Sequence, residues 1–259
     1  MKFNKAIFLI SCLVNLANIK AVTFSEFLEA QEKGPYYYDH QKRYVETSKF
    51  MESWIDFSNL DGKRVLELGG RSPILSYLES RGAIAEEYTE ELRNEISLPQ
   101  ETFDVVLLLE VFEHLKDIES QSHNATQCFT GPKHLIKEIQ KLLKPGGVMI
   151  LTTPNASSLN VFYNFLMKRT PYNYNLHPRE YTKAEVIDLV LKGNVEYKNY
   201  QDTGELVDLG RFELINSQII DVWNLPPEAN REKLIEAIRA CGADTTERGD
   251  DMMFIFRKN

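Results

Sequence analysis

Two carboxylates and an imidazole crowd into one short stretch, Glu110-Val-Phe-Glu113-His114, and a second imidazole, His177, heads the later run His177-Pro-Arg-Glu-Tyr-Thr182. On a helical turn, spacings of three and four residues put Glu110, Glu113 and His114 on one face. Carboxylates and imidazoles in this combination suit three kinds of chemistry. They can ligate a divalent metal. His114 can act as a general base toward a hydroxyl, since an unperturbed imidazole titrates near pH ~6.5. Alternatively, Glu113 and His114 simply end a strand and line a polar pocket. His177 is a better partner for this cluster than His40, His123 or His134. The last two flank what reads as a surface insertion, where solvated roles prevail.

Such groups need a rigid edge to stand on, and two segments supply one. Arg64-Val-Leu-Glu-Leu-Gly-Gly-Arg-Ser-Pro73 and Phe103-Asp-Val-Val-Leu-Leu-Leu-Glu110 both begin as short apolar runs and end in acidic or glycine residues. Buried parallel strands deliver polar groups to the carboxyl edge of a sheet in this way. The first run places Glu67 at the strand's end and then Gly69-Gly70, where a backbone without Cβ can turn tightly against a ligand. That fits a nucleoside-bearing cofactor. Around these runs the spacing predicts a helix over Ile74–Ser80 closed by Gly82, a strand near Ala83–Tyr88 and a helix over His134–Leu143 stopped by Lys144-Pro-Gly-Gly147. It further predicts a strand over Val148–Thr152, a helix near Lys183–Leu191 with a Thr182/Glu185 capping box, a strand-like Val195–Tyr200, a helix over Glu228–Cys241 and a last strand Met252–Phe256. Upstream, the aromatic and charged text from Phe24 to Phe57 reads as a lid helix. Alternation of strand and helix argues for a parallel sheet with covering helices.

At 259 residues, with 43% hydrophobic and 26% charged residues, the chain can bury one substantial core. A net charge of −8 and the lack of any dense Lys/Arg run argue against a nucleic-acid-binding surface. Lys2 and Lys5 precede the apolar run Ala6–Ala17, and a small residue, Ala21, stands at a cleavage position. Residues 1–21 therefore read as a secretory signal peptide, with an amphipathic first helix as the alternative. The run is too short for a membrane span, which needs roughly 20 apolar residues. Cleavage would make the protein secreted or periplasmic; without it the protein is cytoplasmic. Residues 22–259 then form the remaining domain, with no repeat or linker that demands a further boundary. Cys128 and Cys241 show no paired framework.

In order and spacing, Val65-Leu-Glu-Leu-Gly-Gly70, Phe103-Asp-Val-Val…Glu110-Val-Phe-Glu113-His114 and Leu142-Leu-Lys-Pro-Gly-Gly-Val-Met-Ile-Leu-Thr-Thr-Pro-Asn155 resemble the class I S-adenosylmethionine-dependent methyltransferases, across most of the chain from Tyr37 to Lys258. The resemblance implies an α/β fold: a Rossmann-like three-layer sandwich around a mostly parallel seven-stranded sheet with an antiparallel last strand. It implies S-adenosyl-L-methionine as cofactor, held by Glu67, Gly69, Gly70 and Glu110, with an acid after the second strand, Glu86 or Glu87, on the ribose and Glu91 on the adenine. Catalytic roles fall to Glu113, His114 and His177. The same cluster with Glu110 is also similar to the metal-binding E-x-x-E-H motif and later His of small-RNA 3′-terminal 2′-O-methyltransferases, and to ubiquinone-pathway O-methyltransferases. The implied reaction is O-methylation of a small-molecule or sugar-like acceptor, with Tyr36–Tyr38, Tyr172, Tyr174 and Tyr181 as candidate walls that exclude water.

Two departures qualify this resemblance. Arg71 and Pro73 stand where the family has further glycines, so the Arg71 side chain must point away or replace a backbone contact. Between Tyr88 and Phe103 the chain is too short for a full helix plus a strand. A non-catalytic binding protein on the same fold is the alternative that these departures and the signal-like start leave open. A nicotinamide-dependent dehydrogenase is disfavoured, because no complete G-x-G-x-x-G follows the first strand.

Overall fold

The apolar run Arg64–Leu68 forms β1 and pairs in parallel with β2 (Ile84–Tyr88) on one side and β3 (Phe103–Leu109) on the other. β3 pairs in parallel with β4 (Leu143–Pro154); β6 (Asp251–Lys258) runs antiparallel between β4 and β5 (Phe212–Ile220). The sheet order is β2-β1-β3-β4-β6-β5. In this computed structural model the residues described are 22–30, 35–118, 129–174, 176–193, 195, 209–223 and 225–259, without side chains for 35–39. The expected signal segment, the insertion with His123, the strand-like text beyond Val195 and the side chains of Tyr36–Tyr38 lie outside them.

Because successive strand residues face opposite ways, the sheet buries two separate apolar faces. Leu66, Leu68, Val106, Leu108, Met149, Leu151, Phe254 and Phe256 face α4 (Thr130–Leu142) and α6 (Lys183–Lys192). Val65, Val105, Leu107, Ile150, Met253 and Ile255 face α1 (Phe24–Ala30), α2 (Pro35–Glu52) and α3 (Pro73–Ser80). This is the expected three-layer arrangement. Each fully buried Leu or Phe contributes about 1.5–3 kcal/mol, so the two faces supply most of the driving force for the layers. The last strand is antiparallel as expected, but the described sheet has six strands, not seven. The cause is chain length: residues 89–102 form turns and an extended link between β2 and β3, and no strand fits there.

The predicted helix ends hold where the local chemistry is strong. Thr182 and Glu185 close a reciprocal capping box on α6, and Gly193 ends it in the left-handed region. One helix is additional to the sequence expectations, α5 (Leu159–Leu166), capped by Ser158, whose Oγ accepts from Val161 N at 3.2 Å. It packs through Leu159 and Tyr163 on Leu234 and Ile238 of α7 (Arg231–Ala240). Among the described residues no helix is long and apolar enough to cross a membrane.

Phe254, fully buried on β6 between β4 and the outer strand β5, gives a test of this core. Phe254→Ala is expected to lower unfolding free energy by about 3–5 kcal/mol, read from the urea midpoint at constant slope; a loss below ~1 kcal/mol would contradict its placement.

Candidate active site

The carboxyl ends of β1, β3 and β4 and the start of β6 meet at one edge of the sheet. After β1 the backbone turns through Gly69 (φ +99°) and Gly70 (φ +139°) into α3. A Cβ on Gly69 would lie 2.5 Å from a Val111 methyl, whereas Gly70 faces open space. Glycine is thus required at the first position by the loop after β3, and at the second it leaves the turn clear. Ser72 caps α3, and both its N–H and its Oγ donate to Glu67 Oε2, at 2.8 and 3.0 Å. Burial pushes the Glu67 carboxyl up to about 7 despite these bonds and the nearby Arg71. A buried acid with so reluctant a charge is primed to receive a cation.

Arg71 does not cross this turn. Its guanidinium lies along α3, 2.7 Å from Glu79 Oε2, and Pro73 is the first residue of the helix, where a missing N–H is harmless. Of the second-strand acids, Glu87 pairs in register with Glu67 and is exposed on the same face of the sheet. Glu86 faces the other way and is held by Arg64. Glu91 is occupied within its own loop: Arg93 grips both its oxygens, at 2.9 and 2.8 Å, and holds the carboxyl down at about 2.

The Glu/His cluster is brought together in part. After β3 the chain makes a short 3-10 turn, Phe112–His114, and not a longer helix, and Glu110 adopts a left-handed conformation (φ +56°). Its carboxylate therefore leaves the shared face expected for it and pairs with Arg43 of α2 at 3.2 Å, with Oε1 buried and unpartnered. Glu113, His114 and His177 do converge, with one ligand atom from each within 4.8 Å of the others. Glu113 is 1% exposed; Thr153 of β4 donates to its Oε2 at 2.9 Å, and its Oε1 has no hydrogen-bond partner. That oxygen lies 3.8 Å from His114 Nε2 and 3.9 Å from His177 Nε2. The two rings are edge to face, 4.7 Å apart.

Glu180 sets the chemistry of this space. Its carboxylate accepts from Asn173 N, Asn173 Nδ2 and Tyr174 N, and lies 2.8 Å from His177 Nδ1. A carboxylate receiving that many donors is an acceptor, so Nδ1 donates to it and Nε2 is left facing Glu113. Nε2 and the unpartnered Glu113 Oε1 thus face each other across a space that a proton, a metal ion or a hydroxyl could bridge. Burial, and then the neighbouring Glu110, raise the Glu113 carboxyl well above its ordinary value, while burial and His177 lower the His114 imidazole.

Arg43, Thr153, Glu180 and Asp251 belong to this edge and were not singled out from sequence. Burial opposes the charge of Arg43, but Glu110 and Asp251 overcome it and raise its affinity for the proton. Asp251, fully buried, has an unpartnered Oδ2. Glu180, three residues after His177, carried a usable signal; the other three are joined only by long-range folding. Of the remaining histidines, His40 packs edge-on to Trp223 and His134 meets the Asn94 carbonyl away from the cluster. Tyr174 lies 5.2 Å from the His177 ring, whereas Tyr181 is buried against Phe112 and serves packing.

Residues 38–194 match the family described as a methyltransferase domain. A protein of Mycolicibacterium smegmatis, described as a probable S-adenosylmethionine-dependent methyltransferase, is 30% identical over 105 residues, covering 40% of this chain and 33% of that protein. The alignment thus spans about a third of that relative's length. The magnesium protoporphyrin IX methyltransferase of Synechocystis PCC 6803, solved with bound SAH, superposes with a TM-score of 0.52 at 11% identity, over 90% of this chain and 91% of that one. A methyltransferase of Archaeoglobus fulgidus gives 0.46 at 16%, over 87% of this chain and 100% of that one. At 11% identity the likeness to the Synechocystis enzyme speaks to the fold alone.

Glu67 supplies a pH test. Its raised folded value means that the native state holds a proton that the unfolded chain releases above about 4.5, so its contribution to stability falls as pH rises toward 7. Glu67→Gln is expected to be more stable than the parent by about 3 kcal/mol at pH 8, a gain that vanishes below pH ~4.5. Paired urea titrations at the two pH values check it, and a pH-independent difference would contradict the assignment.

Proposed function

The chain belongs to the methyltransferase-domain family, and from that premise we propose that it uses S-adenosyl-L-methionine to methylate a hydroxyl of a small-molecule or sugar-like acceptor. The observation that carries the cofactor assignment is the buried Glu67 beside a diglycine turn that Arg71 leaves clear. Glu67 would meet the cofactor's ammonium group, the backbone at Gly69 and Gly70 would pass close beneath it, and Glu87 would face the ribose. Glu110 would add negative potential toward the sulfonium. When bound, the cofactor supplies an electrophilic methyl group.

The chain's own residues then govern the acceptor. His177, oriented by Glu180 at Nδ1, would present Nε2 to the acceptor hydroxyl and take up its proton as that oxygen accepts the methyl group. The Glu180 carboxylate stabilises the imidazolium. Glu113 Oε1, which has no partner of its own, would hydrogen-bond the bound acceptor, with His114 on its other side. A second reading is favoured by the unpartnered Glu113 Oε1: Glu113, His114 and His177 would hold a divalent cation, with Glu180 as the outer carboxylate that orients a ligating imidazole. Such a cation would polarise the hydroxyl.

Calorimetric titration of S-adenosylmethionine into the folded chain is expected to show binding, weakened at least tenfold by Glu67→Ala. No heat from folded protein would replace the enzymatic reading with a non-catalytic binding module. In an assay of SAH release across hydroxyl acceptors, His177→Ala is expected to lower kcat by about 10²–10⁴. Loss of activity on chelation, restored by added divalent metal, would select the second reading over direct base catalysis. We also propose that residues 1–21 form a cleaved signal; amino-terminal sequencing of the mature chain checks this, and retained Met1 would refute it.

A further inference from the structure

We infer that the acceptor carries an apolar chain next to its reacting hydroxyl, and that residues 165–174 and Leu176 receive it; this rests on the proposed transfer to a hydroxyl. Eleven large apolar side chains are exposed among the described residues, and five of them, Phe165, Leu166, Met167, Tyr174 and Leu176, fall within this one segment. Phe165 and Leu176 are each 67% exposed. Single exposed apolar residues need no explanation, but a cluster marks a contact surface.

The segment is held in place. Past the end of α5, Arg169 N donates to Asn164 O at 2.8 Å, and Asn164 Nδ2 donates to Tyr172 O at 3.0 Å, folding the following loop back on the helix. Asn173 then bridges Glu180 and the Asn155 carbonyl. Apolar side chains are therefore presented from an ordered frame, at little cost in ordering when a ligand arrives.

The same anchor serves rim and site. Glu180 binds the backbone of Asn173 and Tyr174 and also fixes His177 Nδ1. Tyr174 joins the two regions, its ring 5.2 Å from the His177 ring. A ligand whose hydroxyl reaches His177 Nε2 would thus lead outward past Tyr174 onto apolar surface. A second protein copy is a poorer occupant, because five side chains fall far short of the roughly 20–30 residues a side that stable interfaces use.

The test is equilibrium titration of the full chain with 1-hexanol, 1-octanol and 1-decanol. Affinity is expected to rise about two- to fourfold per added methylene. Leu176→Glu and Phe165→Glu, both at exposed positions, are expected to flatten that dependence to less than twofold while leaving the far-ultraviolet circular dichroism and the S-adenosylmethionine titration unchanged. Affinity independent of chain length, or a dependence that survives both substitutions, overturns the inference. Failure of S-adenosylmethionine to bind would instead remove the methyltransferase reading and leave the alkanol result to be judged alone.

Discussion

A buried carboxylate oxygen facing two imidazole nitrogens, with no donor of its own, is the constraint on which this edge of the sheet depends. Glu113 is fixed by Thr153, which projects from β4 with no freedom to follow it. His177 is fixed by Glu180, which is itself saturated by backbone and side-chain donors from one loop. Neither side can turn away to relieve the conflict. An unpaired buried acceptor costs about 1–3 kcal/mol, a cost that a proton, hydroxyl or cation at this point removes. Strain of this kind recurs at the adjoining residue Glu110, held at φ +56°.

A second layer of charge organises the same edge from the far side. Arg43 enters from α2 and meets Glu110 from the end of β3, with Asp251 from the start of β6 close enough to reinforce its charge. Three elements distant in sequence are thereby tied together by one guanidinium. Buried ion pairs contribute little net stability, since desolvation offsets attraction, but breaking one strands a charge and is expensive. The effect is geometric. Helix α2 is held against this edge in one arrangement, in addition to its apolar packing through Phe50 and Met51.

Much of the architecture was legible because local signals agreed. The apolar runs ending at Glu67 and Glu110 and the Thr182/Glu185 capping box all report short-range chemistry, and the structure places them as the spacing predicts. Other features needed the folded chain. α5 was hidden because Leu-Asn-Val-Phe-Tyr-Asn-Phe-Leu is apolar on nearly every side, and only α7 and the exposed rim decide which residues are buried. Glu110 was grouped with Glu113 and His114 on an assumed helical turn, whereas the backbone reverses there and turns it to Arg43. Asp251 and Arg43 carry no local mark at all, as their meaning lies in each other and in Glu110.

The shortened link between β2 and β3 reaches beyond cofactor contacts. Among the described residues no strand lies outside β2, which forms the sheet's border, its outer row of peptide groups open to any extended chain that approaches. Ile84, half-exposed on that border, would favour such a partner, but Glu86 and Glu87 follow on alternate faces and Glu90 and Glu91 lie just beyond. Charges of one sign along an open border repel a copy of the same strand and impede stacking into fibrils. The acid proposed to greet a ribose thus also guards the sheet against self-association, so neutralising this short strand would endanger solubility as well as ligand binding.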